Sequence, residues 1–392
     1  MKMENNKSKE IIKRIEGTIS TVAEKKSILY FFIADARNTP NAKMEYIYQL
    51  AYTLHEKKYN VCMLYQLDNE YSEKEIADLI RKEKPIDENR RFVGVTKWLG
   101  EKYGRLKHFN LSKGEWKVSP ADFLFIPEAF SSLMKETFDN HIPCKRYVIL
   151  QNFNHVTEFI PFGDQWANYG ITDVIVPNNR QAQLIKSVFK YTNTYILPPY
   201  IPEYFRKPVT AKKLIVNIIT KNRHDAEHII KVFYWKYRIF QFVPFRVLTN
   251  LPRERFAEML KESAITIWID KDSSFGYSAL ESIRCGNITI GKIPEDAPDW
   301  MEENNEFKSN GIWVDDVNKI PDILASVVNE WIEDEVSPEI YKSMDETNNL
   351  YSIDEWNANV DKLFSDIFER RIKDLNVIKD EVSEDKNKKE NS

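Results

Sequence analysis

The chain has 392 residues and a formal net charge of −4, long enough for two domains of ordinary size and without the basic field that draws a protein to nucleic acid or anionic lipid. Hydrophobic residues are 42% and charged residues 30% of the total, as in a soluble globular protein. Cys62, Cys144 and Cys285 lie far apart, which argues against a disulfide framework or zinc site and for buried thiols in a reducing, cytoplasmic compartment. No apolar run is long enough for a membrane span, and the charged N-terminal stretch lacks the apolar core of a signal peptide.

Residues 1–26 are polar, with Ile11, Ile12, Ile15 and Ile19 at a helical spacing, and read as a peripheral helix. Ser27 to Ile33 is the first strand, Asp35 to Asn41 a loop, Met44 to Lys57 an amphipathic helix and Asn60 to Tyr65 a strand. This is a Rossmann-like βαβ opening. Its loop, Arg37-Asn38-Thr39-Pro40-Asn41, holds no glycine, so its backbone approaches a ligand less closely. Residues 66–118 are charged and weakly patterned, with a helix near Glu73–Lys84 and short strands at Phe92–Val95 and Leu106–Phe109. Ala121 to Ile126 is a strand, and Pro127-Glu128-Ala129-Phe130 opens a helix. Strands follow at Tyr147–Leu150, Asp173–Val176 and Tyr195–Leu197, with a helix at Asn179–Lys190. Gln151, Asn152, Asn154 and His155 stand together after a strand, where they could bind hydroxyl groups.

The segment EYFRKPVTAK, 203–212, reads as a linker. A second series follows: strand Leu214–Ile219, helix His224–Tyr237, strand Phe240–Leu248 and helix Pro252–Glu262. Ile265 to Ile269 is an apolar strand. Phe275, Ala279, Leu280 and Ile283 then repeat at a helical spacing, and Gly286-Asn287 suits a left-handed helix cap. Ile288 to Ile290 begins the next strand. The loop between strand and helix therefore opens onto a helix N-terminus, where free N–H groups and the helix dipole suit a phosphate. Gly311–Val314 is a late strand and Ile320–Trp331 a helix. Ile353–Leu375 is a long helix with Trp356, Val360, Leu363, Phe364 and Ile367 on one spacing. The charged tail from Lys379 to Ser392 reads as disordered.

The stretch FGYSALESIRCGNITIG resembles the C-terminal motif of retaining GT-B glycosyltransferases of the family-four-like group, roughly E-x-F-G-x-x-x-x-E-A-(small)-x-x-G before a short strand. Phe275, Gly276, Glu281 and Gly286 fall on motif positions. ITDVIVPNNRQAQLIKSVF followed by ILPPYIP is similar to the family's last N-terminal unit. The resemblance implies an α/β fold of two Rossmann-like domains with a cleft between them (GT-B-like). Its parts would be an extension at 1–26, an acceptor domain at 27–202, a linker at 203–212, a nucleotide-sugar-binding domain at 213–350, a helix at 351–378 crossing back, and the tail at 379–392. The implied activity is a hexosyltransferase type: transfer from a UDP- or GDP-sugar to a hydroxyl of a sugar, glycan, protein or modified base, with retention. It needs no further cofactor and no metal.

By the same resemblance, Glu281 binds the nucleotide ribose, and the backbone at Phe275, Gly276 and Tyr277 meets the diphosphate. Lys221 and Arg223, at the end of the Leu214–Ile219 strand, neutralise its charge. His155 faces the donor sugar. Ser273 stands where the family has a glutamate that contacts that sugar. Plainer readings exist for each: a surface glutamate, a turn glycine, a solvated basic loop, a structural histidine. Asp270-Lys271-Asp272 matches a short metal–nucleotide pattern of the other glycosyltransferase fold, but its surroundings fit GT-B, so no metal site is assigned. Two alternatives for the whole chain are a non-catalytic GT-B-like binding or structural protein, motivated by Ser273 and the glycine-free loop, and sugar transfer onto modified nucleic-acid bases.

Overall fold

The computed structural model describes residues 2–25, 27–35, 42–87, 90–92, 98–114, 116–269, 275–294, 298–301 and 310–390. Two parallel sheets organise them. The first contains β1 (Leu29–Ile33), β2 (Asn60–Tyr65), β3 (Lys107–Asn110), β4 (Phe123–Pro127), β5 (Lys145–Ile149), β6 (Asp173–Val176) and β7 (Asn193–Ile196), in the order β3-β2-β1-β4-β5-β6-β7. Every pairing in it is parallel. Its strands are runs such as LYFFI and FLFIP because both faces are covered. Successive side chains of β1 feed opposite cores: Tyr30 and Phe32 one, Phe31 and Ile33 the other. Phe32 stacks on Phe125 of the neighbouring strand at 4.6 Å between ring centroids.

The second sheet contains β8 (Lys213–Thr220), β9 (Phe245–Leu248), β10 (Ser263–Ile269), β11 (Ile288–Lys292) and β12 (Ile312–Val314), in the order β12-β11-β10-β8-β9. All its pairings are parallel too. In β10 every residue is buried, which explains its unbroken apolar character.

In chain order the helices are α1 (Lys2–Glu24), α2 (Ala42–Glu56), α3 (Glu73–Arg81), α4 (Ser131–Asp139), α5 (Phe153–Phe159), α6 (Asn179–Val188), α7 (Arg223–Lys236), α8 (Arg253–Glu262), α9 (Tyr277–Arg284), α10 (Ile320–Ile332), α11 (Pro338–Leu350) and α12 (Ile353–Glu390). Several differ from the sequence reading. Pro127 ends β4 and Glu128 lies in the turn after it instead of opening a helix, and α4 starts at Ser131. The run around His155 is itself a short helix, and α11 is a helix the apolar spacing did not suggest. The strand expected at Phe92–Val95 and the loop from Arg37 to Asn41 fall largely outside the described residues. The charged tail is not disordered at its start: α12 continues to Glu390.

That last helix leaves the second sheet and packs on the first domain. Trp356, Val360, Leu363, Phe364 and Ile367 join the core around Tyr30 and Phe32. The indole of Trp356 donates to Thr53 Oγ1 at 2.7 Å, and Arg371 donates to the Pro120 carbonyl at 2.8 Å. Helix α1 lies along α12, with Glu16 3.7 Å from Lys379. The chain therefore passes between domains twice. The two crossings run side by side, the Ile201 N–H donating to the Tyr351 carbonyl at 3.0 Å. Cys62, Cys144 and Cys285 are buried free thiols. Among the described residues no helix is long and apolar enough to cross a membrane.

Candidate functional site

In an open parallel sheet a ligand sits beyond the carboxyl ends of the strands, where the strand order reverses. The first sheet reverses between β1 and β4. Asp35 follows β1 there, and Glu128 follows β4. The second sheet reverses between β8 and β10, which end in register at Thr220 and Ile269. Lys221 and Arg223 follow the first of these strands, and Phe275–Tyr277 follow the second after a loop outside the described residues. The domains meet beside these ends. At one edge Asp299 accepts from the backbone N–H of Asn179 at 3.1 Å and of Arg180 at 3.4 Å, so it caps α6 across the domain boundary.

Glu281 lies in the second turn of α9 and is 1% exposed. Its carboxylate forms an ion pair with Arg253, the first residue of α8, whose Nη1 donates to Oε2 at 3.2 Å. The same guanidinium reaches into the first domain, with Nε 2.7 Å from Glu45 Oε2 on α2. Tyr204 also donates to Glu45, at 3.2 Å. The guanidinium lies against the rings of Phe205 and Phe256, at 4.9 and 5.8 Å from their centroids. One cation thus serves two buried carboxylates from different domains. Burial pushes Glu281 up to about 7, and Arg253 opposes that rise. Burial also works against the charge of Arg253, but Glu281 and Glu45 outweigh it and hold the guanidinium charged.

Neither Glu45 nor Arg253 was singled out by sequence reading. A signal existed for the first. Glu45, Gln49 and Thr53 make a buried polar row, four residues apart, on a helix otherwise lined by Tyr46, Ile47, Leu50, Ala51 and Leu54.

Phe275, Gly276 and Tyr277 form the approach to α9. Gly276 is left-handed, with φ 73°, and a Cβ there would lie 2.6 Å from Met301 and 3.0 Å from Trp300. The glycine is needed for backbone conformation and for this packing. Phe275 is buried, and its carbonyl accepts from the Trp300 indole at 3.0 Å. Among the described residues no side chain caps α9. At its far end Gly286 has φ 76°. Gly286 N–H donates to Ile283 and Asn287 N–H to Ser282, a Schellman cap. The Tyr277 ring touches the cores of both domains. Its hydroxyl is buried without a hydrogen-bond partner among the described residues, and its pKa is pushed upward by burial first, then by Tyr46, Glu45, Glu281 and Glu128.

Lys221 and Arg223 are exposed where the chain leaves β8. Arg223 pairs with Glu227 one turn along α7 at 3.1 Å, and Asn222 caps that helix. Their position, one strand from the approach to α9, follows from the sheet order.

His155 lies on α5, in the first domain. Lys43 Nζ is 2.8 Å from its Nε2, and Glu128 Oε1 is 3.5 Å from its Nδ1. Glu128 is 2% exposed, and its Oε1 has no hydrogen-bond partner among the described residues. The neighbours Gln151 and Asn152 have structural duties: Gln151 donates to the Lys43 carbonyl at 2.9 Å, and Asn152 caps α5. Ser273 and the Asp270-Lys271-Asp272 run lie outside the described residues.

No protein-family model matches the chain. It is similar to an alpha-1,6-glucosyltransferase of Actinobacillus pleuropneumoniae serotype 7 (strain AP76), 21% identical over 209 residues, which are 50% of this chain and 60% of that protein. The chain thus spans less than two thirds of that relative. Its structure is similar to sucrose-phosphate synthase from Thermosynechococcus elongatus, with a TM-score of 0.57, 11% identity and coverage of 88% of this chain and 100% of the other. TarM gives 0.57 at 12% identity, covering 86% and 99%. The pneumococcal O-GlcNAc transferase GtfA, in complex with UDP and GlcNAc, gives 0.54 at 9% identity, covering 91% and 99%. At these identities what is shared is the fold.

Proposed function

We propose that this chain, whose fold is GT-B, is a glycosyltransferase that moves a sugar from a nucleoside diphosphate sugar to an acceptor hydroxyl with retention. The observation that carries the reading is the meeting of two topological switch points, one of them opening on α9 with Glu281 in its second turn. The positive end of α9 favours the diphosphate, and Lys221 and Arg223 add cationic charge from the adjoining strand end. In this mechanism they do the work of a metal ion by stabilising the charge that develops on the leaving diphosphate. A diphosphate oxygen then takes the proton of the acceptor hydroxyl. Glu281 binds the ribose hydroxyls, and the donor is a UDP- or GDP-sugar. The alpha-1,6-glucosyltransferase and the UDP complex of GtfA support this class of donor and reaction.

The pairing of Glu281 with Arg253 favours a second reading, a GT-B protein that no longer binds nucleotide. Calorimetric titration with UDP, GDP and their sugars decides between the two. Transfer predicts binding of one nucleotide, weakened by Glu281→Gln by about 2 kcal/mol, roughly thirtyfold, and release of that nucleotide from its sugar in the presence of acceptor. Absence of binding to every nucleotide would overturn the site assignment and leave the non-catalytic reading.

A further inference from the structure

Strand β9 is the outermost of the second sheet, and among the described residues no strand pairs with its free side. The register fixes which backbone groups face outward. The Pro244 carbonyl accepts from the Val216 N–H at 3.0 Å, and Val216 lies opposite Phe245. In a parallel pair that pattern turns the backbone groups of Arg246 and Leu248 toward β8 and leaves the N–H and C=O of Phe245 and Val247 pointing outward. Such an edge is a template for another strand, and proteins commonly blunt it with charge, proline or cover. Here Val247 is exposed, and the residues leading to the strand add exposed apolar side chains. Trp235 in the last turn of α7, Ile239 and Phe242 are 73%, 77% and 62% exposed. Arg246, the charged side chain of β9, is held by Glu262 at 2.6 Å.

We propose that this edge binds a second copy of the chain, β9 pairing antiparallel with its counterpart about a two-fold axis beside Arg246. Phe245 of each copy then exchanges N–H···O bonds with Val247 of the other. Their side chains meet on the α7 face of the sheet, where Phe245 already packs against Phe233 and Tyr234. A strand laid against itself is self-complementary, as an isologous interface requires. The charges agree with that partner. Glu262 also holds Lys213 at 2.7 Å, Asp322 holds Lys236 at 2.8 Å, and Lys231 lies 4.0 Å from Glu227. Of the cations from Lys231 to Arg246, only Arg238 has no carboxylate partner among the described residues. Paired charges around an apolar centre suit a protein surface of the same kind, whereas an anionic lipid or a nucleic acid needs cations in excess. The inference stands apart from the glycosyl-transfer reading.

The test is sedimentation velocity on the full chain at rising concentration, where the wild type should pass from monomer to dimer. Val247→Pro removes an outward N–H that the sheet itself does not use, so it should keep the thermal midpoint and weaken the dimer about tenfold or more. In the proposed register Arg246 of one copy lies opposite Arg246 of the other, in a pair whose Cα atoms stand about 4.5 Å apart, within disulfide reach. Arg246→Cys should therefore cross-link the two copies on oxidation, with no background from Cys62, Cys144 and Cys285, which are buried. A monomeric wild type, a dimer that a folded Val247→Pro leaves intact, or a dimer that Arg246→Cys does not cross-link would each overturn the proposal. A monomer that sediments with phosphatidylglycerol vesicles would overturn it as well and assign the apolar patch to lipid. If Val247→Pro fails to fold, the Arg246→Cys cross-link decides.

Discussion

Replacing Arg253 by Met tests the shared ion pair most directly. The substitution keeps an apolar body against Phe205 and Phe256 but removes the charge. Two carboxylates then remain, with side chains 5% and 1% exposed and no cation between them. Removing one partner of a buried pair costs about 3–5 kcal/mol, because the charge left behind is neither solvated nor paired. Here two charges of like sign are left, so the upper half of that range is expected at pH 8. At pH 5.5 the loss should shrink, since Glu281 can take up a proton. Adding Glu281→Gln at pH 8 should recover about 2 kcal/mol by removing one of the stranded charges. Urea titrations followed by circular dichroism, run on wild type, both single variants and the double variant at both pH values, measure each difference. A loss below about 1 kcal/mol at pH 8, the size of a surface pair, with no recovery in the double variant, would refute the shared-cation arrangement.

Three further outcomes follow from the same geometry. Glu281 is raised to about 7 by burial, so the folded chain holds a proton that the unfolded chain has lost; the resulting stability is full below pH 4.5, fades as pH rises through 7, and amounts to about 3 kcal/mol. Thermal midpoints should therefore fall more steeply from pH 5 to pH 8 in the wild type than in Glu281→Gln, and equal slopes would contradict this. Gly276→Ala should cost more than about 2 kcal/mol, combining the left-handed penalty with the crowding against Met301 and Trp300; a midpoint unchanged by differential scanning calorimetry would rule that out. Trp356→Ala should cost about 3–5 kcal/mol through the lost core volume and the hydrogen bond to Thr53. A loss below about 1 kcal/mol in a urea titration would mean that the last helix does not stabilise the first domain.

The sequence was most legible where one local pattern decides the structure. The run in β10 reads as a buried strand because both its faces are covered. The apolar spacing from Trp356 to Ile367 marks the side of α12 that enters the first core. Helix α11 was missed because it buries little, chiefly Met344 and Thr347, although Ser337 as a cap and Pro338 in the first turn gave it a start signal. Helix α5 was hidden for a related reason: Asn152 reads equally as a hydroxyl-binding residue and as the helix cap it is. The tail stays helical beyond its apolar stripe, in a segment rich in good helix formers whose Lys379 still reaches α1. In the site, the motif pointed to Glu281 and Gly276. The partner of Glu281 could not be read, because Arg253 and Glu45 come together only when two domains dock, and neither lies in a motif. Glu128 had a weaker local sign, a carboxylate placed directly after an apolar strand.

The return of α12 to the first domain has a consequence for biosynthesis. Translation runs from the N-terminus, and domains generally fold as units while the chain emerges. Here the second sheet, ending at Val314, is complete before the ribosome has made Trp356 or Phe364, which the first core requires. The domain begun first is thus finished last, and in the interval the aromatic rings of β1 and β4 lack the part of their cover that α12 supplies. A nascent chain held before Ile353 would present those rings to chaperones. Release of the last helix would cover them, after the second domain has already folded.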